Sequence, residues 1–449
     1  MGIRSTSRRL GRVVAVVLVV CWWPGARADE PAPETPAAQA EAPKPEAKRW
    51  IWSWKWDNGV RYHLEVPFEN VWIGPDKGPL RNEEIEKRLA FVGTIGARFQ
   101  VDAAGYASTR GLEDVDSGGE LRRLRFGTRG DFYLLGHVSY ALDVELIGSS
   151  FEVGDVYFWW KELPIIQRFK IGNFTPPMSL ESLTSSRDTV FMETGLPVEA
   201  FGPARSSGIQ IGGPVLDQRL TWAFASVRTL GTTDQGDKSK AGGRALGRIT
   251  WLPEDDPEHA RLTHVGVSAS ILFSAEDVRY ETRPESHVAP SLVDTGKLRA
   301  ANQSTASGIE LLHIRGPWLF MGEGLGTRVS GNHDGTFWGA DALAGYTLTG
   351  ESQPYDRTSG ILDQFVPARP FSWHDRTWGA LRVAGRVSHV DLSQGPVAGG
   401  RETNLTADLT WFLNSWLLFK VEYGQAFVRS RPDAGNLHFG QARLQIDFY

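Results

Sequence analysis

Arg123, Arg125 and Arg129 stand two and four residues apart, interleaved with Leu124, Phe126 and Thr128. In an extended chain this spacing puts the arginines on one face and the other set on the opposite face, with same-face neighbours about 7 Å apart. A row of guanidinium forks along a wall can pass an anion from one to the next without trapping it. Arg168 with Lys170, then Arg248, Arg382 with Arg386, and Arg443 fall in similar alternations further along. A second chemistry fits the same residues. Acids at alternating positions, such as Asp143, Glu145, Asp408 and Glu422, could pair with these cations and stabilise a polar interior without binding any solute. Both readings stay open at this point, and both need strands with one polar and one apolar face.

The sequence supplies such strands. From Gly440 to Tyr449, Ala442, Leu444, Ile446 and Phe448 share one face, and Gln441, Arg443, Gln445, Asp447 and Tyr449 share the other. A period of two with an aromatic end suits the closing strand of an outer-membrane barrel, apolar towards lipid and polar towards the lumen. Sixteen such segments are expected at 90–101, 121–133, 136–148, 154–162, 165–174, 206–213, 219–229, 243–252, 261–274, 307–316, 317–329, 337–348, 377–389, 402–412, 416–427 and 438–449. The connections test this independently, because barrels alternate short turns with long loops. Leu134-Leu135, Leu163-Pro164, Gly316-Pro317 and Leu413-Asn414-Ser415 are tight, whereas 103–120, 175–205 and 275–306 are long. Residues 349–376 break the rule, being long where a short turn is due. Either that turn is elaborated or a strand pair lies in it; Trp50 to Val66 could pair as well, so sixteen strands stand against eighteen.

The N-terminus reads as an export signal. Arg4, Arg8, Arg9 and Arg12 precede the apolar run Val13–Trp23, and Ala26-Arg27-Ala28 offers a cleavage site before Asp29. That run is too short to span a bilayer, which needs roughly 20 residues. Cys21, the sole cysteine, lies inside it, which excludes disulfides and thiolate metal sites in the mature chain. Residues 29–48, rich in Pro, Ala, Glu and Lys, have too little apolar surface to fold and read as a linker. Residues 49–89 form an extension that could join the barrel or plug it, and 90–449 form the barrel itself. Removing the signal takes five arginines and no acid from the 48 basic and 53 acidic residues, leaving 43 against 53. That acidity argues against nucleic acid as a partner, and says nothing of a lumen, whose charge is local.

The most site-like loop is Thr175 to Ser206. Pro177, Met178, Leu180, Leu183, Phe191, Met192, Leu196 and Phe201 are more apolar surface than a loop standing in water needs. Folded back against the wall it would narrow a pore and make Arg187, Asp188, Glu193 and Arg205 the constriction; the alternative is a lid outside the pore. Other constellations are weak. His137-Val138-Ser139 resembles the His-x-Ser of outer-membrane phospholipases, but Val138, Tyr140, Leu142, Val144 and Leu146 take the lipid side of that strand. Glu254-Asp255-Asp256 with Glu258 reads as a solvated acidic turn. No phosphate loop, HExxH or nucleophile elbow is present.

Several ordered stretches carry a family resemblance. They are Arg122-Arg123-Leu124-Arg125-Phe126-Gly127, Thr184 to Glu193, Arg283-Pro284-Glu285-Ser286-His287, Asp294-Thr295-Gly296, Leu348-Thr349-Gly350-Glu351, Arg386-Val387-Ser388 with Asp391-Leu392, Gly399-Gly400, and Thr410-Trp411-Phe412-Leu413-Asn414. Through them the chain resembles the phosphate-selective porin O/P family from about residue 90 to the end. The resemblance implies a sixteen-stranded, usually trimeric outer-membrane channel with a constricting inward loop. Arg382 stands where that family usually has an acid, and Ser206-Ser207 replaces an Asn-containing turn. The lysine cluster and arginine ladder of strongly phosphate-specific members have no counterpart, so the family name does not establish phosphate as substrate.

The sequence therefore predicts an all-β transmembrane antiparallel barrel in the outer membrane, without cofactor or enzymatic activity. It passes small hydrophilic solutes through an Arg-lined lumen, anions (phosphate or polyphosphate-like) preferred, and assembles as a homotrimer in lipid. The alternative is an adhesive or structural barrel whose lumen is plugged.

Overall fold

Period-two alternation becomes a closed sheet. The computed structural model describes residues 51–56, 59–66, 89–109, 112, 115–133, 137–147, 150–228, 242–273, 277–299, 301–331, 334–430 and 434–448. The signal with its Ala28–Asp29 junction and the 29–48 linker lie outside the described residues. Sixteen strands make the barrel: β1 Leu89–Ser108, β2 Gly118–Tyr133, β3 His137–Ile147, β4 Ser150–Leu163, β5 Gln167–Phe174, β6 Ser206–Val215, β7 Leu220–Arg228 and β8 Gly243–Asp256 form the first half. The second half is β9 Arg261–Phe273, β10 Ala301–Arg315, β11 Trp318–Gly331, β12 Gly335–Thr347, β13 Ala380–Gln394, β14 Val397–Phe412, β15 Leu417–Arg429 and β16 Ala434–Phe448. Each pairs antiparallel with its chain neighbours.

Closure is made by β16 returning to β1, from Leu437 opposite Ser108 to Phe448 opposite Ala97. That ladder leaves the first residues of β1 without a neighbour on that edge. An N-terminal hairpin, Ile51–Trp56 and Val60–Val66, pairs there, from Val60 opposite Ile95 to Val66 opposite Leu89. The barrel thus has sixteen strands, and the hairpin is an addition beside the seam rather than a seventeenth and eighteenth stave. Residues 349–376 contain no barrel strand either. They are an elaborated turn with one short ladder, Tyr355–Asp356 against Ile361–Leu362.

The two faces follow the alternation. Along β16, Gln441, Arg443, Gln445 and Asp447 are buried while Leu444 is exposed. Phe126, Val144, Phe224, Val267, Leu311, Leu405 and Val421 are likewise large, apolar and exposed, as an outward face in lipid requires. Two expectations change. Several strands run further than their apolar pattern, β1 to Ser108 and β14 from Val397, because Gly- and Ser-rich ends such as Gly399-Gly400 carry no marked apolar face. Glu254, Asp255 and Asp256 form the end of β8 beyond a bulge, not a free turn, and Asp255 accepts two bonds from the Arg357 guanidinium at 2.6 and 2.8 Å.

Because the β16–β1 ladder closes the sheet without it, deleting residues 51–66 should leave a detergent-folded barrel with heat-modifiable gel mobility and a β-type circular-dichroism spectrum. Loss of both would make the hairpin part of the barrel.

Candidate functional site

Inward faces of a sixteen-stranded barrel enclose more space than side chains fill, and three inserted segments occupy part of it. Residues 175–205, between β5 and β6, form two short helices, α1 Leu180–Leu183 and α2 Leu196–Phe201. Ser179 caps α1, its Oγ accepting from the Ser182 N–H at 3.1 Å, and Pro197 sits in the first turn of α2. Met178, Leu180, Phe191, Leu196 and Phe201 are fully buried. The loop packs against inward-facing side chains from opposite parts of the wall. Lys420 of β15 donates to the carbonyls of Thr189, Val190 and Phe191 at 2.7, 3.0 and 3.3 Å. Arg386 of β13 donates to the Glu193 carbonyl, and Arg443 of β16 to that of Met192. Glu323 of β11 accepts from the Ser179 hydroxyl and the Glu181 N–H. Extended apolar sequence and strand-borne cations thus meet, and each satisfies the other's polar groups.

The two other inserts come from opposite ends of the barrel. Between β9 and β10, Glu285 is fully buried and ion-pairs with Arg386 at 2.9 Å. Between β12 and β13, the carbonyls of Thr358 and Gly360 accept from Arg168 at 2.9 Å and Arg248 at 2.7 Å.

A cavity of about 430 Å³ remains between the 175–205 loop and the β2–β8 wall. Arg123, Arg125, Arg129, Arg168, Lys170 and Arg248 all border it, as do Glu193 and Arg205 of the loop. Arg382 and Arg386 do not: they are buried, Arg382 bonded to Gln353 and Arg386 paired with Glu181 and Glu285. Arg187 and Asp188 pair with each other at 3.1 Å and line a separate crevice beside Asp447. The arginine row exists as spaced, but each member has an acid. Arg123 and Arg125 share Glu145, Arg129 binds Asp143, and Arg205 meets Asp155 at 2.9 Å. His137 and Ser139 each bond to Asp131, not to one another.

A sequence profile of the phosphate-selective porin O and P family matches residues 94–448. The chain belongs to that family. It is 26% identical over 371 residues to an uncharacterized protein of Caulobacter vibrioides, spanning 78% of this chain and 73% of that one. Among solved structures it is similar to the anion-selective porin from Comamonas acidovorans, at 12% identity, covering 80% of this chain and 100% of that one, with a TM-score of 0.49. The outer membrane channel DcaP of Acinetobacter baumannii is similar at 11% identity, covering 80% and 97%, with a TM-score of 0.48. The family match places this chain among the porins.

Two features of this porin's interior escape period-two reading. Between Gln100 and Val101 of β1 the register shifts, so β2 carries an extra residue and both Arg122 and Arg123 are buried on the inner side. Arg122 then grips Glu193 through two bonds of 3.0 Å, and Arg443 adds a third at 2.7 Å. Burial pushes the Glu193 carboxyl up, but the Arg122 and Arg443 guanidiniums outweigh it and hold the group well below the usual carboxylate range. Glu199 in α2 behaves oppositely. Burial raises its carboxyl to about 7; Arg283 and His287 pull it down, and Glu193 pushes it up.

Glu193→Gln should leave Arg122 buried without its carboxylate, costing on the order of 3–5 kcal/mol in chemical denaturation. Raising pH should ionise Glu199 beside Arg283, Glu193, His287 and Glu402. Its folded value lies above its unfolded one, so the stability it contributes is complete below about 4.5 and is lost as pH rises through about 7. Glu199→Gln should flatten that part of the pH–stability curve.

Proposed function

We propose that this porin conducts small hydrophilic solutes by passive diffusion, with anions preferred, and that the 175–205 loop is its constriction. One observation carries the reading: ten lysine and arginine side chains border the cavity against six acids. In a narrow, low-dielectric space an excess of one sign raises the local concentration of the opposite ion. Arg123, Arg125 and Arg129 contribute little to that excess, since Glu145, Asp143 and Asp155 offset them, and serve mainly to hold the wall. Of the loop residues, Glu193 and Arg205 border the path, while Arg187 and Asp188 anchor the loop against β16. The loop's wall contacts and its position beside the cavity support the narrowing role. We further propose export with cleavage between Ala28 and Asp29, a 29–48 periplasmic linker, and a homotrimer in outer-membrane lipid.

A second reading has its own support. Three inserts crossing the interior favour a plugged structural barrel that passes no current.

Planar-bilayer recording separates the two. In a potassium chloride gradient the purified protein should give steps whose reversal potential shifts towards chloride. The shift should be larger at low salt, because the Debye length falls from about 30 Å at 0.01 M to about 3 Å at 1 M. Replacing residues 179–203 with a short Gly-Ser linker should raise conductance and weaken selectivity. Absence of any step supports the plug, and unchanged conductance in the linker variant removes the loop from the path.

A further inference from the structure

The cations bordering the cavity are not alike. Arg122, Arg123, Arg125, Arg129, Arg205, Arg248 and Arg443 each have a carboxylate at ion-pair distance. Lys170 has none among the described residues, and no hydrogen-bond acceptor either. Its ammonium lies instead over rings, 4.2 Å from the centroid of Trp159, 4.6 Å from Tyr157 and 5.3 Å from Phe174. Two positions away on the same face, the Arg168 guanidinium lies 4.8 Å over Trp159.

Pairing explains the arrangement. Trp159 of β4 stands directly opposite Lys170 of β5, and Tyr157 stands opposite Gly172. Gly172 follows Lys170 on the inward face at a φ of +138°, and a Cβ there would collide with the Val156 carbonyl oxygen. Next to Arg168 across β5–β6 lies Gly212, again without a side chain. Two cations and two rings therefore stand over a low glycine floor at the cavity wall.

A half-buried ammonium without an acceptor is costly, and ring contacts offset only part of that. All three of its donors remain available to whatever enters. We propose that Lys170, with Arg168, Trp159 and Tyr157, forms a binding subsite for small aromatic carboxylates. The carboxylate would meet the ammonium and guanidinium, and the flat ring would lie along the aromatic edge above the glycine floor. A hydrated tetrahedral oxyanion would need several converging donors and would gain nothing from the rings. The inference rests on the anion-preferring porin reading and deepens it by naming the solute class.

The test is block of chloride current by benzoate in planar bilayers, with acetate and inorganic phosphate as controls and a folded barrel confirmed for each variant by gel mobility. Benzoate should block the wild-type channel in a saturable way, acetate and phosphate much less. Lys170→Met, which keeps the aliphatic stem, should weaken the block by about tenfold, one charge-assisted contact of about 1.4 kcal/mol. Trp159→Leu should weaken benzoate block while leaving acetate unaffected. Equal effects of benzoate and acetate, stronger block by phosphate, or unchanged block in Lys170→Met would overturn the subsite. A protein that gives no current defeats the porin reading instead. Calorimetric titration of benzoate onto the detergent-folded barrel then decides the subsite alone: saturable heat lost in Lys170→Met supports it, and none in the wild type overturns it.

Discussion

Everything in this molecule depends on the ladder between β1 and β16. In an apolar layer an unpaired backbone N–H or C=O has no water to turn to, at a cost of several kcal/mol each, so a sheet in lipid must leave no edge. Closure through Ala97–Ser108 and Leu437–Phe448 meets that requirement. It also forces an even number of staves with both ends of the barrel sequence at one rim. Once the sheet is closed, the parity of every strand is set, and a one-residue slip would send a whole row of arginines into lipid. The N-terminal hairpin can pair only where β1 runs past β16, which is where it is found.

Closure creates a second problem inside. Arg98, Arg386, Arg443 and Lys420 are almost completely buried, each at 4% exposure or less. Acids on the wall answer some of them: Asp447 meets Arg98 at 2.5 Å and Asp102 meets Arg443 at 2.6 Å. The rest of their donors go to the inserted loops, whose irregular backbone offers carbonyls that no strand is using. A segment such as 175–205 could not lie within a dry interior on its apolar residues alone. Its carbonyls require donors, and the wall's cations require acceptors. Loop position and wall charge are thus one interaction seen from two sides, and the cavity is the space that this mutual satisfaction leaves over.

That division explains why arginine content, counted without the acids it meets, is a poor guide to the charge of the cavity. A guanidinium held by a carboxylate presents little net charge to a passing ion, whatever its place in the wall. Lys170 differs from the three-arginine row in its neighbours, which are rings and glycines where the arginines have Glu145 and Asp143.

Much of this was legible in the sequence for a simple reason: a closed barrel repeats one local rule. Apolar-polar alternation placed all sixteen strands, and the order of short and long connections gave their up-and-down path, because each strand answers separately to lipid on one side. Arg123, Arg125, Arg129, Arg168, Lys170 and Arg248 were recoverable as inward residues from parity alone. The apolar content of 175–205 pointed to a loop seated against the wall. Parity failed at Arg122, where one extra residue in β2 turns two consecutive arginines inward, since a bulge leaves no mark in composition. It failed at Glu254–Asp256 because a strand beyond the lipid layer needs no apolar face. Above all, the sequence could not say which cation meets which acid. Arg382 and Arg386 share the parity of the cavity residues yet lie away from it, and Arg187 faces a different crevice from Arg205. Those outcomes depend on where three loops, distant in sequence, settle across the barrel. Alternation along a strand is local chemistry and is written residue by residue; pairing across the interior is decided only when the sheet has closed around it.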